Sequence, residues 1–221
     1  MSQTPPQGGM LLQLALDAPE HLALVPRLAR WVDIIEVGTP LLKRFGLSAI
    51  TTVRELAGEA VILADTKTAD GGALEAEMVL GAGATWMTVL AQASPATREV
   101  ACQVAARWGA TVVFDTILDD SFDAGQLEPL RTGDGLWLAV HSPTDLRQAG
   151  GGDETHIERV HHRHQEGLRV SLAGGISRSS IDAVGRVRPD IVVVGSAITT
   201  APDPEGEAAW ISNRLAWLRG A

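Results

Sequence analysis

The sequence is short of several things, and each shortage excludes something. It has one cysteine, Cys102, so an internal disulfide framework is impossible. Cys102 falls in the apolar helical run Glu99 to Ala105, where a thiol reads as a small buried hydrophobe. Positive charge is scarce: 18 Lys and Arg stand against 27 Asp and Glu, a net charge of −9. A nucleic-acid groove needs clustered cations to displace phosphate counterions, so that class of partner is excluded. An anionic small molecule is not excluded, because local backbone N–H groups and one or two cations suffice to hold it. No stretch reaches the roughly 18 apolar residues of a membrane span. The segment Met1 to Gly9 has neither the basic region nor the apolar core of a secretion signal. The expectation is a cytoplasmic protein with no membrane or nucleic-acid partner.

What is present is an apolar, glycine-rich chain of 221 residues, 45% hydrophobic with 23 Gly, long enough for one large α/β domain. Eight short β-rich runs are predicted: Leu11–Leu16, Ile34–Val37, Val61–Ala64, Trp86–Val89, Thr111–Phe114, Leu136–Val140, Arg169–Leu172 and Ile191–Val194. Helical patterns alternate with them at Pro19–Trp31, Leu47–Leu56, Leu74–Leu80, Pro95–Trp108, Ser121–Leu130, His156–His164, Ser179–Val187 and Pro204–Leu218. Runs that are apolar throughout, such as Ile191-Val192-Val193-Val194, suit parallel strands buried on both faces. Eight β/α units close most naturally into a (β/α)₈ TIM barrel, with an open doubly wound sheet as the alternative. Residues 1–9 read as a polar tail and 10–221 as a single barrel domain.

In such a barrel the C-terminal strand ends supply the active site. Here those ends are polar: Asp17 after strand 1, Glu36 on strand 2, Asp65-Thr66-Lys67-Thr68-Ala69-Asp70 after strand 3, Asp115 after strand 5 and His141 after strand 6. Asp17 has a simple alternative as a helix cap. Glu36, between Ile35 and Val37, is costly to bury without a cation or strong donors, and Lys67 needs carboxylates that Asp65 and Asp70 are near enough to supply. Strands 7 and 8 end in Ala173-Gly174-Gly175 and Gly195-Ser196, adjacent glycine turns that feed helices and suit phosphate. Gly81-Ala82-Gly83 lies on the opposite face as a tight turn. His156, His161, His162 and His164 fall on different faces of a charged helix and read as solvated residues, not a metal site. Trp31, Trp108, Trp210 and Trp217 are expected to pack from helices against the barrel.

Together, Leu12-Gln13-Leu14-Ala15-Leu16-Asp17, Val37-Gly38-Thr39-Pro40, the Asp-x-Lys-x-x-Asp of Asp65, Lys67 and Asp70, His141 with Asp145-Leu146, and Ala173-Gly174-Gly175-Ile176 carry a resemblance. From Met10 onward the chain resembles the orotidine 5′-monophosphate decarboxylase suprafamily, within it the group of 3-hexulose-6-phosphate synthases and 3-keto-L-gulonate-6-phosphate decarboxylases. The resemblance implies a homodimer with active sites at the interface, Asp70 being supplied by the partner chain. It also implies a Mg²⁺ ion held by Glu36 and Asp65, stabilising an enediolate of a sugar phosphate, a task in which Lys67 assists.

The two subgroups differ at four strand ends, where the decarboxylases typically carry Glu, Arg, Thr and Arg. This chain has Asp115, Thr144, Ala173 and Ser196. All four depart from the decarboxylase pattern, and Asp115 and Ala173 match the synthase one. The resemblance therefore implies a Mg²⁺-dependent aldol reaction of formaldehyde with D-ribulose 5-phosphate. His141 would be the general acid/base, Asp17 and Asp70 would orient substrate hydroxyls and Lys67, and Gly174, Gly175, Gly195 and Ser196 would hold the phosphate. The alternatives are decarboxylation of 3-keto-L-gulonate 6-phosphate, a non-catalytic sugar-phosphate-binding or pathway accessory barrel, and an aldolase with another acceptor aldehyde.

Overall fold

A computed structural model describes residues 9–119, 121–131, 135–142 and 155–220, with only the backbone described over 155–158. Eight parallel strands form a closed barrel in chain order: β1 Leu11–Leu16, β2 Ile34–Val37, β3 Val61–Thr68, β4 Trp86–Leu90, β5 Thr111–Asp115, β6 Trp137–His141, β7 Arg169–Ala173 and β8 Ile191–Val194. β8 closes on β1 through Leu11↔Ile191 to Leu14↔Val194. The helices are α1 Val25–Leu28, α2 Thr39–Phe45, α3 Ser48–Ala57, α4 Gly72–Gly81, α5 Pro95–Trp108, α6 Thr155–Gln165, α7 Ile181–Val187, α8 Ser196–Thr199 and α9 Pro204–Gly220.

Side chains alternate across each strand, and this period of two sorts the core into two layers. Leu12, Leu14 and Leu16 of β1 face outward into the large cluster shared with the helices, which includes Ile50, Val104, Val184 and Ile211. The other parity fills the barrel interior with Leu11, Ile34, Val61, Leu63, Trp86, Val113, Trp137 and Ile191. Trp86 and Trp137 meet edge to face there, ring centroids 4.9 Å apart. Continuing the inward parity toward the strand ends changes the chemistry: Ile34 gives way to Glu36, Leu63 to Asp65, Trp86 to Thr88, Val113 to Asp115 and Ala139 to His141.

Four local expectations are corrected. β3 does not stop at Ala64 but runs to Thr68, with its register to β4 broken between those residues. Ser121–Leu130 is not an α-helix; Ala124–Leu130 winds as a 3-10 segment, opened by Asp123 accepting from the Gly125 N–H and containing Pro129, which has no N–H to give. The helix over Thr39–Phe45, started by Pro40, is additional to those read from the pattern. Trp108 and Trp217 lie largely in solvent, the first donating to Glu77 Oε2 at 2.8 Å and the second under the Arg214 guanidinium. Trp31 and Trp210 do pack against the core. Cys102 is half-buried and burial pushes its thiol up to about 11, as for a small hydrophobe.

Candidate active site

β3 and β5 meet over the barrel mouth through Lys67. Its Nζ donates to Asp65 Oδ2 at 2.6 Å and lies 3.3 Å from Asp115 Oδ2. The same Asp115 oxygen stands 3.6 Å from His141 Nδ1, an ion-pair distance and not a hydrogen bond. Asp115 is only 2% exposed, and its Oδ1 accepts the Ile117 N–H at 2.8 Å. Any bond to a substrate would therefore add to partners already in place. The pairing of Lys67 with Asp70 expected from sequence proximity is not what forms within the chain. Asp70 is exposed and, among the described residues, its carboxylate has no hydrogen bond or ion pair; Asp115, 48 positions from Lys67, is the second carboxylate.

Electrostatics follow from this arrangement. Burial works against the Lys67 ammonium, but Asp65 and Asp115 outweigh it and hold the group above the ordinary lysine value. Burial would also raise Asp115, yet the His141 ring, the Lys67 charge and the Ile117 N–H together hold its carboxyl below the ordinary value. Glu36 goes the other way. Desolvation and the neighbouring Asp65 charge push it up to about 8, against the opposing bond from Gln13 Nε2 to Glu36 Oε2 at 2.6 Å. Asp17 is raised as well, by desolvation first and by Asp65 second, with Lys67 and His141 opposing. Asp17 thus shares one field with the Asp65, Lys67 and His141 group.

Asp17 is not the helix cap that its position allows. The 3-10 segment Pro19–Leu24 starts after Ala18, and His21 within it reaches back, its Nδ1 accepting the N–H groups of Asp17 at 3.2 Å and Ala18 at 3.3 Å. The Asp17 carboxylate instead lies against Gly38: a Cβ there would collide with Asp17 Oδ1 and stand 2.8 Å from the Leu16 carbonyl. Gly38 is what leaves room for it.

Two threonines complete the site, and sequence reading passed over both. Thr39 Oγ1 donates to Asp65 Oδ2 at 2.8 Å and bonds its carbonyl at 2.7 Å. Thr88 Oγ1 donates to Asp65 Oδ1 at 2.8 Å. Thr88 carries no signal of its own, since a threonine inside Trp86–Leu90 is an ordinary strand former. Thr39 had one, its place beside Gly38.

The ends of β7 and β8 lie side by side, Ala173 pairing with Val193. Gly174 and Gly175 have φ of 116° and 69°, in the region that favours glycine. Gly195 precedes the turn of α8, its carbonyl accepting the N–H groups of Ile198 and Thr199, with Ser196 as first residue. Ala173 is buried next to His141 in register, and its carbonyl accepts the Ser142 N–H. Thr144 and Asp145 lie outside the described residues. Of the helical histidines, His164 pairs with Asp190 at 3.1 Å and His161 with Gln165 at 3.0 Å, while the side chain of His156 lies outside the described set. No helix is long and apolar enough to cross a membrane among the described residues.

The chain has relatives among known proteins. The chain is 34% identical over 203 residues to 3-hexulose-6-phosphate synthase of Mycobacterium gastri, covering 90% of this chain and 96% of the relative. It is 32% identical over 203 residues to 3-keto-L-gulonate-6-phosphate decarboxylase SgbH of Escherichia coli, covering 88% and 89%. Among solved structures, 3-hexulose-6-phosphate synthase from Salmonella typhimurium superposes with a TM-score of 0.83 at 38% identity, over 94% of this chain and 99% of that one. The decarboxylase KGPDC from Streptococcus mutans, solved in complex with D-R5P, gives 0.86 at 26% identity, over 95% and 98%. Residues 10–211 match the model for the orotidine 5′-phosphate decarboxylase / HUMPS family, and the chain belongs to that family.

Proposed function

We propose that the chain is a lyase of the 3-hexulose-6-phosphate synthase type, joining formaldehyde to D-ribulose 5-phosphate to give D-arabino-3-hexulose 6-phosphate. The observation that carries the reading is the Lys67, Asp115 and His141 relay, which sets a fixed cation and an imidazole on one buried carboxylate. In the reaction a base takes the C1 proton of the pentulose, the resulting enediolate carbon attacks formaldehyde, and the new alkoxide receives a proton. His141, with Nδ1 toward Asp115, offers Nε2 for that proton traffic. Lys67 faces the developing negative oxygens with a charge that Asp65 and Asp115 keep in place. Phosphate is assigned to Gly174, Gly175, Gly195 and Ser196, and Asp17 to a substrate hydroxyl.

A Mg²⁺ ion fits the residues present. Glu36 and Asp65 are hard oxygen donors, the Asp65 charge raises the cost of ionising Glu36, which a dication would offset, and Gln13 Oε1 is buried beside Glu36 with no hydrogen-bond partner among the described residues. Among the described residues no three His, Cys, Asp or Glu gather to hold a metal, so water and substrate oxygens would complete the ion's shell, as is usual for Mg²⁺. When bound, it would neutralise charge on the substrate oxygens. A homodimer in a cytoplasmic setting, with Asp70 reaching into the partner's site, belongs to the same reading.

Decarboxylation of 3-keto-L-gulonate 6-phosphate is the second reading, supported by the 32% identity to SgbH. Assaying ribulose 5-phosphate with formaldehyde and 3-keto-L-gulonate 6-phosphate in parallel, each with and without Mg²⁺, decides between them. Turnover of neither would overturn both.

A further inference from the structure

We infer that Thr88 is a positioning residue for the Asp65 and Lys67 pair, holding a three-residue bulge of β3 in its working conformation. β3 and β4 stay in register through Leu63↔Trp86 and Ala64↔Met87 and resume at Thr68↔Val89. Asp65, Thr66 and Lys67 therefore stand opposite one β4 residue, Thr88, which binds all three. Its Oγ1 donates to Asp65 Oδ1 at 2.8 Å and accepts the Lys67 N–H at 2.8 Å, and its carbonyl accepts the Thr66 hydroxyl at 2.6 Å.

The bulge needs this support. Lys67 has φ of 47°, left-handed backbone that a residue with a long side chain rarely adopts and that persists only where its surroundings impose it. With the backbone so turned, Lys67 Nζ donates to Asp65 Oδ2, two residues earlier, at 2.6 Å. Thr88 is 5% exposed, so removing its hydroxyl would leave the Lys67 N–H without its partner in the barrel mouth.

The inference rests on the proposed lyase reading only for its activity readout; the backbone readout is independent of substrate. The decisive comparison is Thr88→Val, nearly the same shape without the hydroxyl, with Thr88→Ser, which keeps it. The expected result is a kcat about 100-fold lower in Thr88→Val with KM changed about threefold or less, since misplacing a catalytic group by an ångström has that effect. Thr88→Ser should stay within about threefold of wild type in both. Crystal structures should show Lys67 leaving positive φ in Thr88→Val and keeping it in Thr88→Ser. Should Thr88→Val not fold, Thr88→Ala is judged by the same criteria. Full activity in the hydroxyl-free variant, equal loss in both, or a Lys67 φ unchanged without the hydroxyl would each overturn the inference. A wild type inactive on both sugar phosphates would overturn the lyase reading alone and leave the crystallographic comparison standing.

Discussion

The Lys67 ammonium lies 3.3 Å from Asp115 Oδ2, an ion pair between strands β3 and β5 at the mouth of the barrel. It joins the Asp65 side of the site to His141, so in the proposed reaction charge stabilisation and proton transfer would share a carboxylate. Removing Lys67 leaves Asp65 and Asp115 facing one another without their common cation. Lys67→Ala is expected to lower kcat/KM for the active sugar phosphate by about 10²–10³-fold. Steady-state kinetics checks this, and activity within about threefold of wild type would contradict it.

Asp115 gives a pH prediction with a definite sign. Its folded carboxyl is held below the ordinary 3.8, so its contribution to stability is complete above that value and is lost as pH falls through the lower, folded one. Denaturant titrations should find Asp115→Asn less stable than wild type by about 1–3 kcal/mol at neutral pH, because a buried bonded carboxylate has lost its charge. Below about pH 5 the gap should narrow as the solution becomes more acid. A gap that widens over that acid range would refute the carboxylate's role.

Glu36 predicts how metal affinity varies with pH. A proton and Mg²⁺ compete for a carboxyl pushed up to about 8, so affinity should rise by about tenfold per pH unit up to that point and then level off. Calorimetric titration of the protein with Mg²⁺ between pH 6 and about 9 measures this. Glu36→Gln should abolish the binding and its pH dependence together; an unchanged affinity would remove Glu36 from the proposed metal site.

Gly38→Ala tests the seat of Asp17. The added methyl would collide with Asp17 Oδ1 and crowd the Leu16 carbonyl. A loss of about 1–3 kcal/mol in chemical denaturation is expected, with a raised KM as Asp17 is displaced. Wild-type stability and KM in this variant would show that the carboxylate has somewhere else to go.

Asp70 predicts complementation between subunits. Neither Lys67→Ala nor Asp70→Asn should be active alone. If Asp70 serves the partner's site, mixing equal amounts after dissociation should restore roughly a quarter of wild-type activity, since half the dimers are mixed and each has one intact site. No recovery, with mixed dimers present by native mass spectrometry, would place Asp70 in its own subunit's site or outside the chemistry.

The architecture and the polar strand ends were legible without coordinates. Its eight apolar runs alternate with helical periods, and the inward parity of β2, β3, β5 and β6 ends in Glu36, Asp65, Asp115 and His141 because a period of two is readable without coordinates. Tertiary structure decided which of those residues are partners. Lys67 pairs with Asp65 and Asp115 and not with Asp70, because the β3 bulge turns Lys67 into left-handed backbone and barrel closure brings β5 beside it. The bonds of Thr39 and Thr88 were not legible for the same reason: a hydroxyl in a strand or at a helix start has meaning only once its partner, here the Asp65 carboxylate, has been carried next to it. Spacing along the chain fixes which face a side chain occupies, but ion pairs and hydrogen bonds depend on distances across strands, and those distances arise only when the barrel closes.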